Sequence, residues 1–434
     1  MELKKILFIL GFFIIIVLMG YGIYVFFFKS PIVSQVVDQG NQATQSSDGG
    51  VSRLPGSSTG QGSTGGIQNA IPSEATSTIE VVSPSGGQGV DVPLPEGQRP
   101  SAVAHGGPTL VSPLSLRTAV FPNLSNGKAV FYDKNEGKFY RLDPKTGDIR
   151  TLSDKVFSSV ENVTWSPQGT KAVLEFPDKS KVVYDFDTGK QNTIPKEWTD
   201  FSFSNTGQQL AFQYVSPYDT SNNWLAIAGD DGSNIRKIEP VGDQRANVAV
   251  NWKPTGEIVA TFREGKDVET QEVTFIGLND ENYKSLPLTG RGFEGKWSND
   301  GSKILYSVYN SESQFKPTLW VASASGDALG QNRRPLEINT WPSKCVFGKG
   351  STVYCAVPKF LDEYSGVYKQ LAQGVPDDLY AIDLSTGSKT KLAELVNRTA
   401  SPVYSVQDLL VDEERGSLYF TDASTGQLNE VRIR

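Results

Sequence analysis

Histidine is all but missing from this 434-residue chain: His105 is the only one. A Ser-His-Asp or Cys-His triad, or a multi-histidine metal site, needs imidazole inside the fold. His105 lies in a Gly/Pro-rich stretch ahead of the repeats, so these chemistries are excluded. A basic stripe is lacking too. Formal net charge is −7, with acids and bases interspersed, so the chain cannot neutralise a phosphate backbone and nucleic acid is not an expected partner. Long helical periodicity is absent after residue 30. Cysteine is limited to Cys345 and Cys355, in KCVFGKGSTVYC. Centred on Gly350, the two face each other across a hairpin. A structural disulfide is expected, because a reactive thiol or metal pair would need a histidine or a basic neighbour beyond Lys344 and Lys349.

Only one long apolar run is present, the 23 uncharged residues 6–28. A helix of that length spans the roughly 30 Å hydrocarbon core, whereas a cleaved signal has about 7–15 apolar residues and a small-residue cleavage site. No such site follows; Tyr24 and Phe26-Phe27-Phe28 stand there instead. Residues 1–30 are therefore expected to be an uncleaved signal anchor. Lys4 and Lys5 precede the span and only Lys29 follows it closely, which predicts a cytoplasmic N-terminus and an extracytoplasmic remainder. Residues 31–107 are rich in Ser, Gly, Gln, Thr and Pro and are expected to be a disordered tether spanning about 50 Å.

From residue 108 onward the sequence repeats. WSPQGTKAVLEF (165–176) returns as FSNTGQQLAF, WKPTGEIVATF and WSNDGSKILYSV, with weaker copies around Gly127, Gly350 and Gly416. Each reads strand, tight turn, strand. Pro presets φ for the turn and Gly supplies φ > 0. Most turn glycines recur at roughly 40–50 residues, the spacing of four-stranded propeller blades. Between them, FYRLDPKTGDIRTL, VVYDFDTGKQNTI, WLAIAGDDGSNIRKI and LYAIDLSTGSKTKL read as third and fourth strands of a blade. Seven glycines predict an all-β, seven-bladed β-propeller over 108–434, with six blades as the alternative. The last repeat ends after a third strand, and residues 108–113 are expected to supply its fourth and so pair both edges.

WSPQG, WKPTG and WSNDG, each followed by an apolar strand, resemble the WSPDG-type repeats of TolB-like propellers. The same repeat type occurs in the propellers of dipeptidyl-peptidase-type prolyl peptidases. The resemblance covers about 108–434 and implies a fold, not an activity. The small α/β domain that precedes the TolB propeller is missing here, as are the peptidases' hydrolase domain and any G-x-S-x-G elbow followed by histidine.

Trp165, Trp252 and Trp297 share one repeat position with Phe203, which points to packing between blades rather than to a ligand platform. The Asp133–Gly137 turn superficially resembles the start of a calcium loop. It has glycine where an oxygen ligand is required and lacks the distal Glu, so a plain hairpin is expected. Asn123, Asn162 and Asn397 head N-x-S/T sequons. One segment departs from the repeat: 358–378, PKFLDEYSGVYKQLAQGVPDD. Leu361, Tyr364, Val367, Tyr368 and Leu371 recur at near-helical spacing, so a short amphipathic helix is expected. Phe360, Tyr364 and Tyr368 beside Asp362, Glu363 and Lys369 have the composition of a partner-binding insert. The expected function is a membrane-anchored, extracytoplasmic module that binds or scaffolds a protein or cell-envelope partner, without cofactor or catalysis. The competing class is a propeller enzyme of lyase or lactonase type, using channel carboxylates and a divalent cation.

Overall fold

A computed structural model describes residues 99–125, 127–281 and 283–434. The predicted membrane span, and the tether up to residue 98, lie outside the described residues. Among the described residues no helix is long and apolar enough to cross a membrane.

The fold is an all-β propeller. Four antiparallel four-stranded sheets follow one another. Blade 1 comprises Asn162–Trp165, Lys171–Glu175, Lys181–Asp185 and Gln191–Ile194. Blade 2 is built from Trp198–Phe203, Gln209–Tyr214, Trp224–Gly229 and Arg236–Pro240. Blade 3 contains Val248–Val250, Ile258–Gly265, Thr270–Gly277 and Leu286–Thr289; blade 4 contains Arg291–Trp297, Lys303–Tyr309, Thr318–Ser323 and Arg334–Pro335. Blade 5 has Cys345–Phe347, Thr352–Pro358, Asp377–Asp383 and Lys389–Val396, with Pro108–Leu110 added parallel on its outer edge as a fifth strand.

Seven separate blades are not found, nor six; five sheets stand as discrete blades. The repeats around Gly127 and Gly416 share the strand Ser112–Ser125, which pairs with Gln427–Arg432 on one side and Lys128–Asp133 on the other. Hydrogen bonding therefore runs unbroken through a seven-stranded closing sheet. The closing strand exists, but later than expected. Ser112, Pro113 and Thr118 pair with Glu430, Asn429 and Gln427, while Pro108–Leu110 goes to blade 5. Residues ahead of it are also bonded into the fold, through Ala104 N–H to the Arg432 carbonyl (2.8 Å) and Gly106 N–H to the Leu392 carbonyl (2.7 Å).

The core is a series of seams between neighbouring sheets. Phe275, Trp297 and Tyr306 join blades 3 and 4; Leu305, Val353 and Ile382 join blades 4 and 5. The repeat-position aromatics are packing residues: Phe203, Trp252 and Trp297 are buried, and Trp165 and Trp297 donate their indole N–H to the carbonyls of Phe121 (2.7 Å) and Asn251 (3.0 Å) on the preceding sheet. The seven turn glycines all have φ between 64° and 97°. At Gly169 a side chain would also meet Ser125 of the neighbouring sheet at 3.1 Å. The Asp133 turn is a hairpin in which Asp133 Oδ1 accepts the amides of Asn135 and Glu136. Cys345 and Cys355 are direct cross-strand partners, joined by a disulfide and fully buried in the seam between blades 4 and 5.

Candidate binding face

Bonds between sheets fix the sense of the inner strands. Val250 N–H donates to Asp200 Oδ2 (2.9 Å) and Trp252 N–H to Ser202 Oγ (3.0 Å). Ser343, Cys345 and Phe347 likewise meet Glu294, Lys296 and Asn299 in rising order. Inner strands therefore run parallel, and the connections sort by face. First-to-second and third-to-fourth turns lie on one face, here the turn face. Second-to-third loops and blade-to-blade crossovers lie on the other, the loop face.

Exposed large apolar side chains sort with them. Val156, Tyr218, Val268 and Val403 each sit in a different loop-face connection, and Leu116 lies within the strand Ser112–Ser125 at its register shift between Pro113 and Thr118. Phe360, Tyr364, Val367, Tyr368 and Leu371 form a group of five in the insert, which joins second and third strands of blade 5 and so also lies on the loop face. Among the described residues Ile235 is the only exposed large apolar side chain on the turn face. Water contact costs about 25 cal/mol per Å² of apolar surface, and among the described residues that cost falls almost wholly on the loop face.

The insert is not the amphipathic helix expected from its spacing. It consists of turns and one short 3-10 segment, Lys369–Ala372. Tyr364 has φ 64°, which breaks a helix, and the apolar residues at near-helical spacing are largely exposed rather than packed. The Lys359 amide closes its base on the Pro376 carbonyl (2.8 Å). Its tip docks on the blade 4 loop that follows Tyr309. The Tyr364 amide donates to the Gln314 carbonyl (3.0 Å) and Gly366 N–H to the Phe315 carbonyl (2.8 Å). The Tyr364 ring stacks on Phe315 at 4.9 Å and 7°. Lys369 pairs with Glu294 on the inner strand of blade 4 and lies 5.7 Å from the Trp341 ring. The result is a ledge of aromatic residues held from two blades.

Beneath the ledge, a cavity of about 530 Å³ opens between the inner strands of blades 3 and 4, with Gly366, Val367, Lys369 and Gln370 on its rim. Arg263 crosses its wall, donating to the carbonyls of Phe293 (3.2 Å) and Ala246 (3.0 Å). A cavity of about 440 Å³ lies elsewhere, between blades 2 and 3 around Ile238 and Phe262, away from the insert.

Inner strands also carry charges. Register shifts place Asp200 and Asp408 at positive φ, a bulge geometry that re-aims a side chain. Burial raises both carboxyls above the usual range, opposed at Asp200 by bonds from Val250 and Gln213 and at Asp408 by the Lys296 charge. Burial lowers the Lys296 ammonium, which donates to the Cys345 carbonyl (2.6 Å). On the third strand of blade 5, Asp377 is fully buried and accepts Lys344 Nζ (2.8 Å) and Val406 N–H (2.6 Å), and burial raises its carboxyl as well. Among the described residues no three His, Cys, Asp or Glu side chains are grouped as a metal set.

Of the residues singled out from sequence, Phe360, Asp362, Glu363, Tyr364, Tyr368 and Lys369 are all exposed together on the ledge. Sequence reasoning missed their partners, Phe315, Gln314 and Glu294, and the inner-strand ions. Charged residues inside otherwise apolar strands were the available signal for the ions; nothing local marks the blade 4 loop.

No family model matches the chain, and no curated protein does. Its fold is similar to several solved structures. An oligogalacturonate lyase in complex with manganese is 14% identical, with 75% of this chain and 93% of that one covered and a TM-score of 0.45. TolB from Acinetobacter baumannii is 14% identical over 61% of this chain and 62% of that one, TM-score 0.42. The propeller domain of Cps50 (Swd1) from Myceliophteria thermophila is 10% identical over 73% and 97%, TM-score 0.49. The tricorn protease is matched over 77% of this chain at 12% identity and TM-score 0.44, and this chain spans only 33% of its length. At these identities the likeness concerns the fold alone.

Proposed function

We propose that this protein is a membrane-anchored, extracytoplasmic binding module that takes a macromolecular partner of the cell envelope on its loop face, with the insert at the centre of the contact. The observation that carries this reading is the one-sided exposure of large apolar side chains, nine in loop-face connections against one in a turn-face connection among the described residues. The ledge supports it, because aromatic side chains held by bonds from two blades give contact area at low entropic cost. The apolar run at 6–28 supports the anchor, and a buried disulfide suits an oxidising compartment.

Substituting Phe360, Tyr368 and Leu371 together by Ser tests it. All three are exposed, so the melting temperature should move by less than about 2 °C, in keeping with the small effect of surface substitutions. Partner capture by the full-length protein should fall at least about tenfold, the loss of about 1.4 kcal/mol. Undiminished capture by the folded variant would contradict the reading.

A further inference from the structure

The ledge has a charge asymmetry that its composition hides. Across the Asn310–Pro317 loop and residues 359–376, between the second and third strands of blade 5, the charged side chains are Glu312, Lys316, Lys359, Asp362, Glu363 and Lys369, three acids against three bases. Two of the bases are already engaged outside the ledge. Lys359 pairs with Asp378 (2.8 Å) and Lys369 with Glu294. Lys316 reaches only the side-chain oxygen of Gln314 (2.8 Å). The acids Glu312, Asp362 and Glu363 are exposed and make no ion pair. What is left without an ion pair is therefore three carboxylates and one lysine, beside the exposed rings of Phe360, Tyr364 and Tyr368.

We infer that the partner presents an extended basic segment to this ledge, Lys or Arg side chains interleaved with apolar ones. The inference rests on the loop-face reading and adds the partner's chemistry. Aromatic faces and carboxylates both favour a cation. A guanidinium or ammonium over a ring gains about 0.5–1 kcal/mol at an exposed site. Exposed ion pairs add about 0.2–1 kcal/mol each. Their larger effect is to steer encounter and reject acidic segments, which like charges disfavour. The apolar residues of such a segment would cover Val367 and Leu371, which the described chain leaves exposed. An acidic segment would meet the same three carboxylates without a free base to answer them, apart from Lys316.

The test uses full-length protein and three fluorescent twelve-residue peptides that alternate Leu or Tyr with Arg, Glu or Ser. Anisotropy titrations are run at low and high salt. Glu312→Gln/Asp362→Asn/Glu363→Gln removes the ledge charges. Asp148→Asn/Asp187→Asn/Glu414→Gln removes three exposed turn-face charges as a control of equal net change. The Arg peptide should bind, weaken with salt, and lose about tenfold in the ledge variant and less than twofold in the control. The Glu peptide should not bind. Equal binding of the Ser or Glu peptide, lost on the Phe360/Tyr368/Leu371 substitution, would overturn the basic partner and leave the loop face standing. Equal loss in ledge and control variants, or no Arg-peptide binding, would overturn the inference outright.

Discussion

Gly366→Ala should detach the ledge without touching any residue that a partner would contact. Gly366 is not at positive φ, so alanine brings no backbone strain of its own. Its Cβ would sit 2.6 Å from the Phe315 carbonyl oxygen and 2.7 Å from Tyr309 Cβ. Neither neighbour is the free end of a flexible side chain, so the insert has to lift. Lifting breaks the amide bonds of Tyr364 and Gly366 to the blade 4 loop and the Tyr364–Phe315 stack. Two hydrogen bonds at about 0.5–1.5 kcal/mol each and one aromatic pair at about 0.5–1.5 kcal/mol come to roughly 1.5–4.5 kcal/mol. That corresponds to about tenfold or more in local opening. Hydrogen exchange at the Tyr364 and Gly366 amides reads it directly, and both should lose protection by at least that factor while inner-strand amides keep theirs. Unchanged protection at both amides would refute the docked ledge.

Two further predictions concern the propeller itself. Replacing Cys345 and Cys355 by Ala should lower stability by about 2–3 kcal/mol in a denaturant titration, the chain-entropy value for so short a loop; a change under about 0.5 kcal/mol would show the bond to be thermodynamically idle. Asp200 gives a pH signature. Burial raises its carboxyl, so folding holds the proton to higher pH than the unfolded chain does. Stability is therefore lost as pH rises from the ordinary carboxylate value through the raised folded one. Asp200→Asn keeps an acceptor for Val250 and Gln213 without the charge, so its advantage over wild type in thermal melts should grow from pH 4 to pH 7. An advantage that shrinks over that interval would contradict the desolvated carboxylate.

Local chemistry made the repeat legible in the sequence. WSPQG needs a proline φ and a glycine φ > 0, and those needs are visible in five residues. The four Asp/Gly hairpins and the cysteine pairing were readable for the same reason. Blade separation was not, because it depends on whether Ser112–Ser125 leaves one sheet before joining the next, a long-range matter of pairing. Pro108 and Pro113 bracket the segment without saying which of its residues pairs with which edge. The insert misled in a different way. Leu361, Tyr364 and Tyr368 have helical spacing, but a helix needs an apolar neighbour on which to lay that face, and here the face is left exposed. Its real support, Phe315 and Gln314, lies about fifty residues away on another blade, beyond any local pattern.

Site-specific photo-crosslinking on the full-length protein, in its native cells, tests the central claim most directly. The probe is placed in turn at Tyr218, Val268 and Tyr368 on the loop face and at Ile235 and Asp187 on the turn face. The account predicts adducts to one common partner from the loop-face positions, strongest at Tyr368, and none from the turn face. Adducts from Ile235 and Asp187, with the loop-face positions silent, would contradict it.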